Sequence, residues 1–370
     1  MKVLHFFKTY YPDTMGGIEQ VIFQLAEGGQ KLGIESEVLS LSSRGTLRDV
    51  RLGSHITHTA NLDLHLASTG FSLSAFKEFR ALAANTDIIN YHFPWPFMDV
   101  VHFSSGIHKP FIVSYHSDII KQRMLRTLYR PLMDKFLGAA QRIIVSSPNY
   151  LATSPILKRH RKKCEIIPIG IDSSTYPVPS PSKLNDWKSC VGERFFLFVG
   201  ALRYYKGLKF LIDAAALTGL PVVIAGKGPE EAALKAQVEF LKAANVRFVG
   251  AVPDEDKAAL LSLCQCLVFP SHLRSEAFGI SLLEGAMYGK PLISCEIGTG
   301  TTYINLHEKT GLVVPPEDPT ALASAMRQLW DSPSLSMGFG RNARERYESH
   351  FTGKSMLRGY ADIYQQVLNG

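Results

Sequence analysis

The stretch Ser275–Lys290, SEAFGISLLEGAMYGK, is the most informative part of this 370-residue chain for predicting its fold. The run Leu267–Ser271 just before it predicts a short buried strand that ends at a proline. Phe278, Gly279 and Ile280 then lead through a glycine step into a helical pattern. Backbone N–H groups at a helix start are unpaired and carry partial positive charge, so this strand–turn–helix unit suits an anion such as a diphosphate.

Two glutamates, Glu276 and Glu284, stand eight positions apart in this stretch. At ~3.6 residues per turn, a continuous helix would place both carboxylates on roughly one side. The spacing is equally compatible with an acid that stabilises the helix dipole and an ordinary surface glutamate. A role in ligand binding therefore needs support from the rest of the chain.

The composition is that of a globular protein, with 46% hydrophobic and 20% charged residues, and the length favours two domains. No apolar run reaches the ~18–20 residues that cross a bilayer, and the N-terminus predicts a buried strand rather than a signal peptide. The five scattered cysteines do not form a zinc-binding pattern and favour reduced thiols in a cytosol.

Predicted strands and helices alternate in both halves of the chain, which indicates an α/β protein with two doubly wound parallel sheets. We expect a first domain over residues 1–174 and a second over residues 193–351. The proline- and serine-rich stretch from Ser173 to Ser182 predicts an interdomain linker, drawn over residues 175–192. Folds of this kind bind ligands at the carboxyl ends of their strands, in the cleft that the two domains face.

Two loops after predicted strands stand out in the first domain. Gly16 and Gly17 follow the first strand, and such a pair lets the backbone approach a ligand closely, although a simple flexible turn explains it equally well. The pair does not match a dinucleotide fingerprint. His116 follows the strand Phe111–Tyr115, and a lone histidine at such a place is more often structural.

Two further loops carry cations in the second domain. Arg203 and Lys206 lie between a predicted strand and a helix, where they can donate charge-assisted hydrogen bonds to a diphosphate or stand as solvated surface cations. Gly226 and Lys227 belong to a Gly-Lys-Gly turn after another strand, which is either a ligand-approaching loop or a plain turn. No Asp-x-Asp pair ends a strand, so we expect no metal and no cofactor.

A basic segment in the first domain is a separate feature. Residues 121–163 contain eleven lysines and arginines and a single acid, Asp134. Leucines recur at helical spacing between the basic positions, which predicts a helix that lies on an anionic membrane surface through Lys121, Arg123, Arg126 and Arg130. An ordinary amphipathic helix with a solvated basic face is the alternative. Nucleic acid is not an expected partner, because no nucleic-acid motif is visible.

Together these features resemble the retaining GT-B glycosyltransferases of family 4, and the similarity covers nearly the whole chain. The resemblance rests on an N-terminal glycine loop, an Arg/Lys-Gly loop and a Glu-x7-Glu motif. The matching positions are Gly16, Gly17, Ile18, Glu19, Arg203, Lys206, Gly207, Glu276, Phe278, Gly279 and Glu284.

The resemblance implies a role for each of these positions. Glu276 would contact hydroxyls of the donor sugar, Glu284 would hold the nucleotide ribose, and His116 would face the transferred sugar. Arg203 and Lys206 would bind the diphosphate, assisted by backbone amides near Phe278, Gly279 and Ile280. Gly16 and Gly17 would approach the phosphate and acceptor side. Apart from the resemblance, we also expect the turn at Gly226 and Lys227 to bind the nucleotide sugar. The final helix, within residues 352–370, would pack on the first domain.

Within this family, the sequences of Leu202–Leu208 and Gly298–Thr302 are similar to those of bacterial O-polysaccharide mannosyltransferases. The similarity implies metal-independent, retaining transfer of a hexose, in the first place mannose from GDP-mannose. The acceptor would be a lipid-linked glycan of O-antigen or lipopolysaccharide biosynthesis, at the cytoplasmic face of the plasma membrane. A nucleotide-sugar epimerase of the same fold and a non-catalytic membrane-surface scaffold are the two alternatives.

Overall fold

The computed structural model describes residues 1–14, 16–45, 49–66, 69–119 and 123–370. The chain divides into two compact units. The first unit comprises Met1–Ile169 together with Gly353–Gly370, and the second comprises Gly170–Thr352.

The described residues form sixteen strands, numbered in chain order: β1 Lys2–Phe6, β2 Glu35–Ser42, β3 Val50–Leu52, β4 His55–Asn61, β5 Leu64–Leu66, β6 Thr69–Phe71, β7 Ile88–Phe93, β8 Phe111–Tyr115, β9 Arg142–Val145, β10 Cys164–Ile166, β11 Phe196–Val199, β12 Val222–Ala225, β13 Val246–Gly250, β14 Cys266–Phe269, β15 Leu292–Cys295 and β16 Gly311–Val314.

Fifteen α-helices lie between and after these strands in the described part of the chain: α1 Gly17–Gly29, α2 Ser74–Ala84, α3 Pro96–Ser104, α4 Arg123–Ala139, α5 Pro148–Thr153, α6 Pro155–Arg159, α7 Pro181–Val191, α8 Leu208–Thr218, α9 Glu231–Phe240, α10 Asp254–Leu263, α11 Ile280–Met287, α12 Thr301–Ile304, α13 Pro319–Asp331, α14 Pro333–His350 and α15 Gly353–Asn369.

The first unit is built on an eight-stranded sheet in the order β10-β9-β8-β7-β1-β2-β4-β3. Its strands pair in parallel except at the edge, where β3 runs antiparallel to β4. The central strands are buried along their length, as sheets covered on both faces require. A separate antiparallel hairpin of β5 and β6 accompanies this sheet. The sequence analysis predicted the parallel strands but neither β3 nor the hairpin.

The second unit is built on a six-stranded, wholly parallel sheet in the order β13-β12-β11-β14-β15-β16. Its apolar core packs Phe196 and Phe198 of β11 against helices such as α8 and α13. Both units are therefore Rossmann-like, and the predicted α/β fold of two doubly wound domains is confirmed.

The last helix, α15, belongs to the first unit although it follows the whole of the second in sequence. Two buried tyrosines fix it to the sheet. Tyr360 Oη lies 3.0 Å from Ser114 Oγ on β8, and Asn90 Nδ2 on β7 donates a 2.9 Å hydrogen bond to Tyr364 Oη. Leu357 packs where Gly28 on α1 leaves room, because a Cβ on Gly28 would collide with it.

The structure places the segment predicted as a linker, residues 175–192, inside the second unit. Most of it is α7, whose first turn is capped by the Ser180 side chain and begins with Pro181. Trp187 Nε1 donates a 2.7 Å hydrogen bond to Asp256 on α10, and Lys183 forms a 3.1 Å ion pair with the same carboxylate. Proline and serine here mark a helix start rather than a flexible connection.

A membrane-spanning helix is not found in the described ranges, since none of their helices is both long and apolar enough to cross a bilayer.

The attachment of α15 predicts that Tyr364→Phe lowers the free energy of unfolding of the first unit by about 1–3 kcal/mol, because the buried Asn90 amide loses its acceptor. Urea unfolding followed by Trp95 fluorescence measures the change, in a background where Trp187 and Trp330 are phenylalanine. Gln365→Ala, at an exposed position of the same helix, is the control and should change little. An equal effect of both changes would show that the Tyr364 hydroxyl does not anchor α15.

Candidate functional site

The strand order of the second sheet reverses between β11 and β14. From β11 the chain proceeds to β12 and β13 on one side, and β14 begins the other side. In open parallel sheets, a ligand crevice forms outside the carboxyl ends of the two strands at such a switch point. The loops that follow β11 and β14 carry Arg203, Lys206 and Glu276.

An ion pair joins these two loops. Lys206 Nζ contacts Glu276 Oε2, and each side chain is only 12% exposed. Ser271 Oγ donates a second, longer hydrogen bond of 3.4 Å to the same carboxylate oxygen. Lys206 also lies over the Phe269 ring, with 4.7 Å between Nζ and the ring centroid. The pair is largely shielded from water, so each charge fixes the position of the other.

Backbone packing between the loops explains the glycine after Lys206. Gly207 has φ +68°, and a Cβ on it would collide with the carbonyl oxygen of Pro270. The amide of His272 donates a 3.1 Å hydrogen bond to the Tyr205 carbonyl, which closes the same junction. Glycine is required here because both its positive φ and the close approach of two backbones exclude a side chain. Burial, with a contribution from the Glu276 carboxylate, raises the pKa of the neighbouring Tyr205 to about 12.

Anion-binding groups remain available beside this pair. Arg203 is exposed and forms no ion pair or side-chain hydrogen bond with any described residue. The helix α11 begins after Gly279, which has φ +101° and caps the helix without a side-chain hydrogen bond. Its first amides, at Ile280 and Ser281, therefore keep the unpaired donors that a helix N-terminus offers to an anion.

The predicted Gly-Lys-Gly turn adjoins the same loop. The amide of Leu202 donates a 3.0 Å hydrogen bond to the Lys227 carbonyl. A Cβ on Gly226 would collide with the carbonyl oxygen of Gly200, so the β11 and β12 loops touch backbone to backbone. The Lys227 side chain is exposed. In the structure, these loop glycines allow two backbone segments of the same chain to pack closely.

Glu284 is buried within α11, where its carboxylate is fixed by two side chains. Lys257 Nζ on α10 lies 3.1 Å from Glu284 Oε1, and Tyr176 Oη donates a 2.9 Å hydrogen bond to the same oxygen. Burial lowers the pKa of Lys257, but the carboxylates of Glu284 and Asp254 outweigh it and the net shift is upward. Lys257 is therefore charged, and Glu284 presents its other oxygen, Oε2, without a partner among the described residues.

The two glutamates of the motif thus have different surroundings. Glu276 lies in the turn before α11 and contacts Lys206, whereas Glu284 lies inside the helix and contacts Lys257. The sequence analysis missed Ser271, Lys257 and Tyr176. Ser271 directly follows the proline that ends the strand, which is a usable signal for it. Tyr176 was hidden by the linker interpretation, and no sequence pattern connects Lys257 to a glutamate 27 positions away.

The first unit brings its predicted residues to the corresponding edge of its own sheet. Gly16 caps α1 with no side-chain hydrogen bond, and both Gly16 and Gly17 are exposed. Glu19, buried in the first turn of α1, accepts 2.8 Å hydrogen bonds from the hydroxyls of Thr9 and Thr14, which hold the loop after β1 in place.

His116 immediately follows β8 and is part of a row of histidines. Its Nε2 lies 3.0 Å from Nδ1 of His92 on β7, and Nε2 of His92 lies 3.1 Å from Nδ1 of His5 on β1. Burial lowers the pKa of His116 to about 4 and that of His5 to about 3. His116 is therefore a neutral, hydrogen-bonded imidazole, and not an isolated one.

The predicted membrane-surface residues are only partly covered by the structure. Lys121 lies outside the described residues, and Arg123 and Arg126 belong to α4 by their backbone alone. Arg130 is exposed and lies 3.6 Å from Asp134. Leu128 is 81% exposed, whereas Phe136 near the end of the helix is fully buried.

No three His, Cys, Asp or Glu side chains of the described ranges converge as a metal-ligand set. Metal independence remains a prediction that a direct assay must test.

Two Rossmann-like units, with cations, carboxylates and an uncapped helix at a switch point of the second sheet, define the GT-B class of glycosyltransferases. Residues 182–346 match the family described as Glycosyl transferases group 1, and residues 15–175 match Glycosyltransferase Family 4. The chain belongs to this family and is a glycosyltransferase, so the resemblance stated from the sequence is confirmed.

Full-length relatives support the same conclusion. The chain is 59% identical to the D-rhamnosyltransferase WbpZ of Pseudomonas aeruginosa, over 95% of this chain and 92% of the relative. It is 48% identical to the O-antigen chain mannosyltransferase C of Escherichia coli, over 100% of this chain and 99% of the relative. Among solved structures, sucrose-phosphate synthase from Thermosynechococcus elongatus shares the fold, with a TM-score of 0.83, 21% identity and coverage of 100% and 99% of the two chains.

The shielded ion pair predicts an energetic coupling between Lys206 and Glu276 of about 1–3 kcal/mol. A double-mutant cycle of Lys206→Met and Glu276→Gln, measured by urea unfolding of the second unit, gives this value. The control is the more exposed pair of Lys235 and Glu231, 2.8 Å apart on α9, for which about 0.3–0.5 kcal/mol is expected. Equal coupling in both pairs would contradict the structural importance of the Lys206–Glu276 pair.

Proposed function

We propose that this glycosyltransferase transfers mannose from GDP-mannose to a lipid-linked glycan in O-antigen biosynthesis, with retention of the anomeric configuration. The observation that carries the proposal is the grouping of Arg203, Lys206, Glu276 and the start of α11 at the switch point of the second sheet. The similarity to an O-antigen chain mannosyltransferase over the whole chain supports the choice of sugar and acceptor.

In this proposal the diphosphate of the donor lies against the amides of Ile280 and Ser281 and is contacted by the exposed guanidinium of Arg203. Lys206 provides a second cation, held in place by Glu276. As the sugar–phosphate bond breaks, negative charge develops on the leaving diphosphate, and preorganised donors of this kind stabilise it. The cations supply the charge that a metal ion would otherwise supply, so the proposed reaction is independent of metal.

Each glutamate of the motif orients one part of the donor. Glu276 Oε1, the oxygen that does not contact Lys206, is available to accept hydrogen bonds from sugar hydroxyls. Glu284 Oε2 is available to accept hydrogen bonds from the ribose hydroxyls, while Lys257 and Tyr176 hold Oε1. His116 contributes a neutral imidazole to the transferred sugar.

Retention in this proposal follows from front-side displacement. The acceptor hydroxyl attacks from the same face that the diphosphate leaves, and a leaving phosphate oxygen takes the hydroxyl proton. The carboxylates of Glu276 and Glu284 are each occupied in holding other groups, so neither is assigned as a covalent nucleophile. Trapping of a covalent sugar adduct on the protein would contradict this mechanism.

D-Rhamnose is a second candidate for the transferred sugar, because the relative that is 59% identical is named as a D-rhamnosyltransferase. D-Rhamnose is mannose without the 6-hydroxyl group, so one site of manno configuration accommodates both. The donor assay described next distinguishes them directly.

A donor panel of GDP-mannose, GDP-D-rhamnose and UDP-glucose, with release of the nucleoside diphosphate as readout, tests the proposal. We expect turnover of GDP-mannose that is equal in EDTA and in magnesium. Arg203→Ala should reduce it by roughly 10²- to 10³-fold, since it removes a group that stabilises the leaving charge. Arg341→Ala, at an exposed position on α14, is the control. Turnover of UDP-glucose alone, or loss of all activity in EDTA, would contradict the proposal.

We also propose that the protein lies in the cytoplasm, at the inner face of the plasma membrane, through α4. The basic segment and the 81% exposed Leu128 provide charge attraction and an apolar side chain for the bilayer interface. Such binding would bring the protein to an acceptor that is anchored in lipid.

Neutralising Arg123, Arg126 and Arg130 to glutamine should reduce sedimentation with anionic liposomes at low salt, since each basic residue contributes about 1 kcal/mol near such a surface. A variant with Lys188, Lys242 and Arg341 changed to glutamine carries the same change in net charge and should still sediment. Equal loss in both variants would indicate only a net-charge effect, and no binding of the native protein would overturn the membrane assignment.

A further inference from the structure

The three histidines of the first unit form a continuous hydrogen-bonded row across three adjacent strands, β1, β7 and β8. In the sheet register His5 pairs with Asn90, and His92 pairs with Ser114. His92 lies two residues after Asn90, and His116 lies two residues after Ser114. Residues two positions apart in a strand point to the same face, so all three imidazoles lie on one face of the sheet. The rings stack, with centroids 5.4 Å apart for His5 and His92 and 5.3 Å apart for His92 and His116.

The row has one neutral imidazole at each position. His5 and His92 are buried, and burial lowers the pKa of all three rings far enough that none is charged at pH 7. A neutral imidazole carries a proton on one nitrogen and accepts at the other. Two hydrogen bonds in a row then allow only two arrangements: either every proton lies on Nδ1, or every proton lies on Nε2.

The buried end of the row distinguishes these arrangements. The His5 side chain is 1% exposed, its Nδ1 contacts His92, and no hydrogen bond joins its Nε2 to a described residue. Protons on Nε2 would leave an N–H of this nearly buried ring without a protein acceptor among the described residues, whereas protons on Nδ1 would leave only an acceptor unused. Unpaired buried N–H groups are the rarer and costlier of the two.

We propose that His5 and His92 are positioning residues that hold His116 in the tautomer with its proton on Nδ1. Nδ1 is the nitrogen of His116 that does not contact His92, and the ring is partly exposed at the carboxyl end of β8. His116 thus presents a fixed, neutral N–H donor to an oxygen acceptor of its ligand. The ligand chemistry that fits is an uncharged hydroxyl or ring oxygen of a sugar, which rests on the role assigned to His116 in the proposed function.

The tautomer is measured directly in the native protein. Long-range ¹H–¹⁵N correlation spectra of histidine-labelled protein distinguish protonated from unprotonated ring nitrogens, and His116→Gln assigns the resonances. We expect a protonated Nδ1 and an unprotonated Nε2 for His116 at pH 7 without any ligand. A proton on Nε2 of His116, or rapid averaging between the two nitrogens, would overturn the inference whatever the sugar is.

Binding measurements then test the consequence for recognition. The readout is the ratio of the Kd for GDP to the Kd for GDP-mannose, determined by calorimetry, because this ratio isolates the contribution of the sugar. His92→Leu removes the donor to His116 and should lower the ratio about fivefold to tenfold, the loss expected for one hydrogen bond. His92→Asn places an amide N–H where Nδ1 was and should restore most of the ratio. GDP binding itself should be unchanged in both.

His102→Leu is the matched control. His102 belongs to the same unit, lies outside the row, hydrogen-bonds Tyr91 at 2.8 Å and has a pKa that burial lowers to about 4. Its substitution should leave the ratio unchanged. If His92→Leu and His92→Asn behave alike, or if His102→Leu has the same effect as His92→Leu, the row does not position His116.

His116→Ala separates this inference from the proposed function. If His116→Ala leaves the ratio unchanged, the assignment of His116 to the sugar fails, and with it the proposed use of the N–H donor. If His116→Ala lowers the ratio while His92→Leu does not, only the positioning inference fails. If the native protein binds GDP but not GDP-mannose, the proposed donor sugar is wrong. The ¹H–¹⁵N spectra then test the tautomer of His116 without the binding measurements.

Discussion

The ion pair between Lys206 and Glu276 joins two loops that follow different strands of one parallel sheet. These strands, β11 and β14, are neighbours only because the strand order reverses between them. A charge pair therefore joins the loops on the two sides of this strand reversal. The other features of the site, the exposed Arg203 and the open start of α11, take their positions from these same two loops.

The constraint explains why glycines are concentrated in this part of the chain. Gly207 and Gly226 lie where the loops after adjacent strands meet backbone to backbone, and a side chain at either would collide with a carbonyl oxygen. Close packing of the loops brings Lys206 within reach of Glu276. The sequence suggests that such loop glycines let the backbone approach a ligand. In the structure, Gly207 and Gly226 instead let neighbouring loops of the site pack against each other.

The two units differ in the charge of their candidate residues. In the second unit, buried charges have partners, as Lys257 with Glu284 shows, whereas Arg203 is exposed. The first unit presents neutral polar groups, since burial keeps the histidine row uncharged. Charged donors suit a diphosphate, and neutral donors suit sugar hydroxyls.

Much of this organisation was predictable from sequence, because buried parallel strands are continuous apolar runs and their loops carry the polar motifs. The strand Phe111–Tyr115 was predicted with the observed bounds. The segment around α7 was predicted to be a linker because it is rich in proline and serine. In the structure, Ser180 caps the helix and Pro181 begins it. The contacts of Glu284 with Tyr176 and of His116 with His92 join residues far apart in sequence, so they required the tertiary structure.

The central claim is that the switch point of the second sheet binds the diphosphate of the donor, and a crystal structure with GDP tests it most directly. The account predicts phosphate oxygens within hydrogen-bond distance of the amides of Ile280 and Ser281 and of the Arg203 guanidinium. Diphosphate bound elsewhere, for example at the Gly16–Gly17 turn with the α11 start unoccupied, would contradict it.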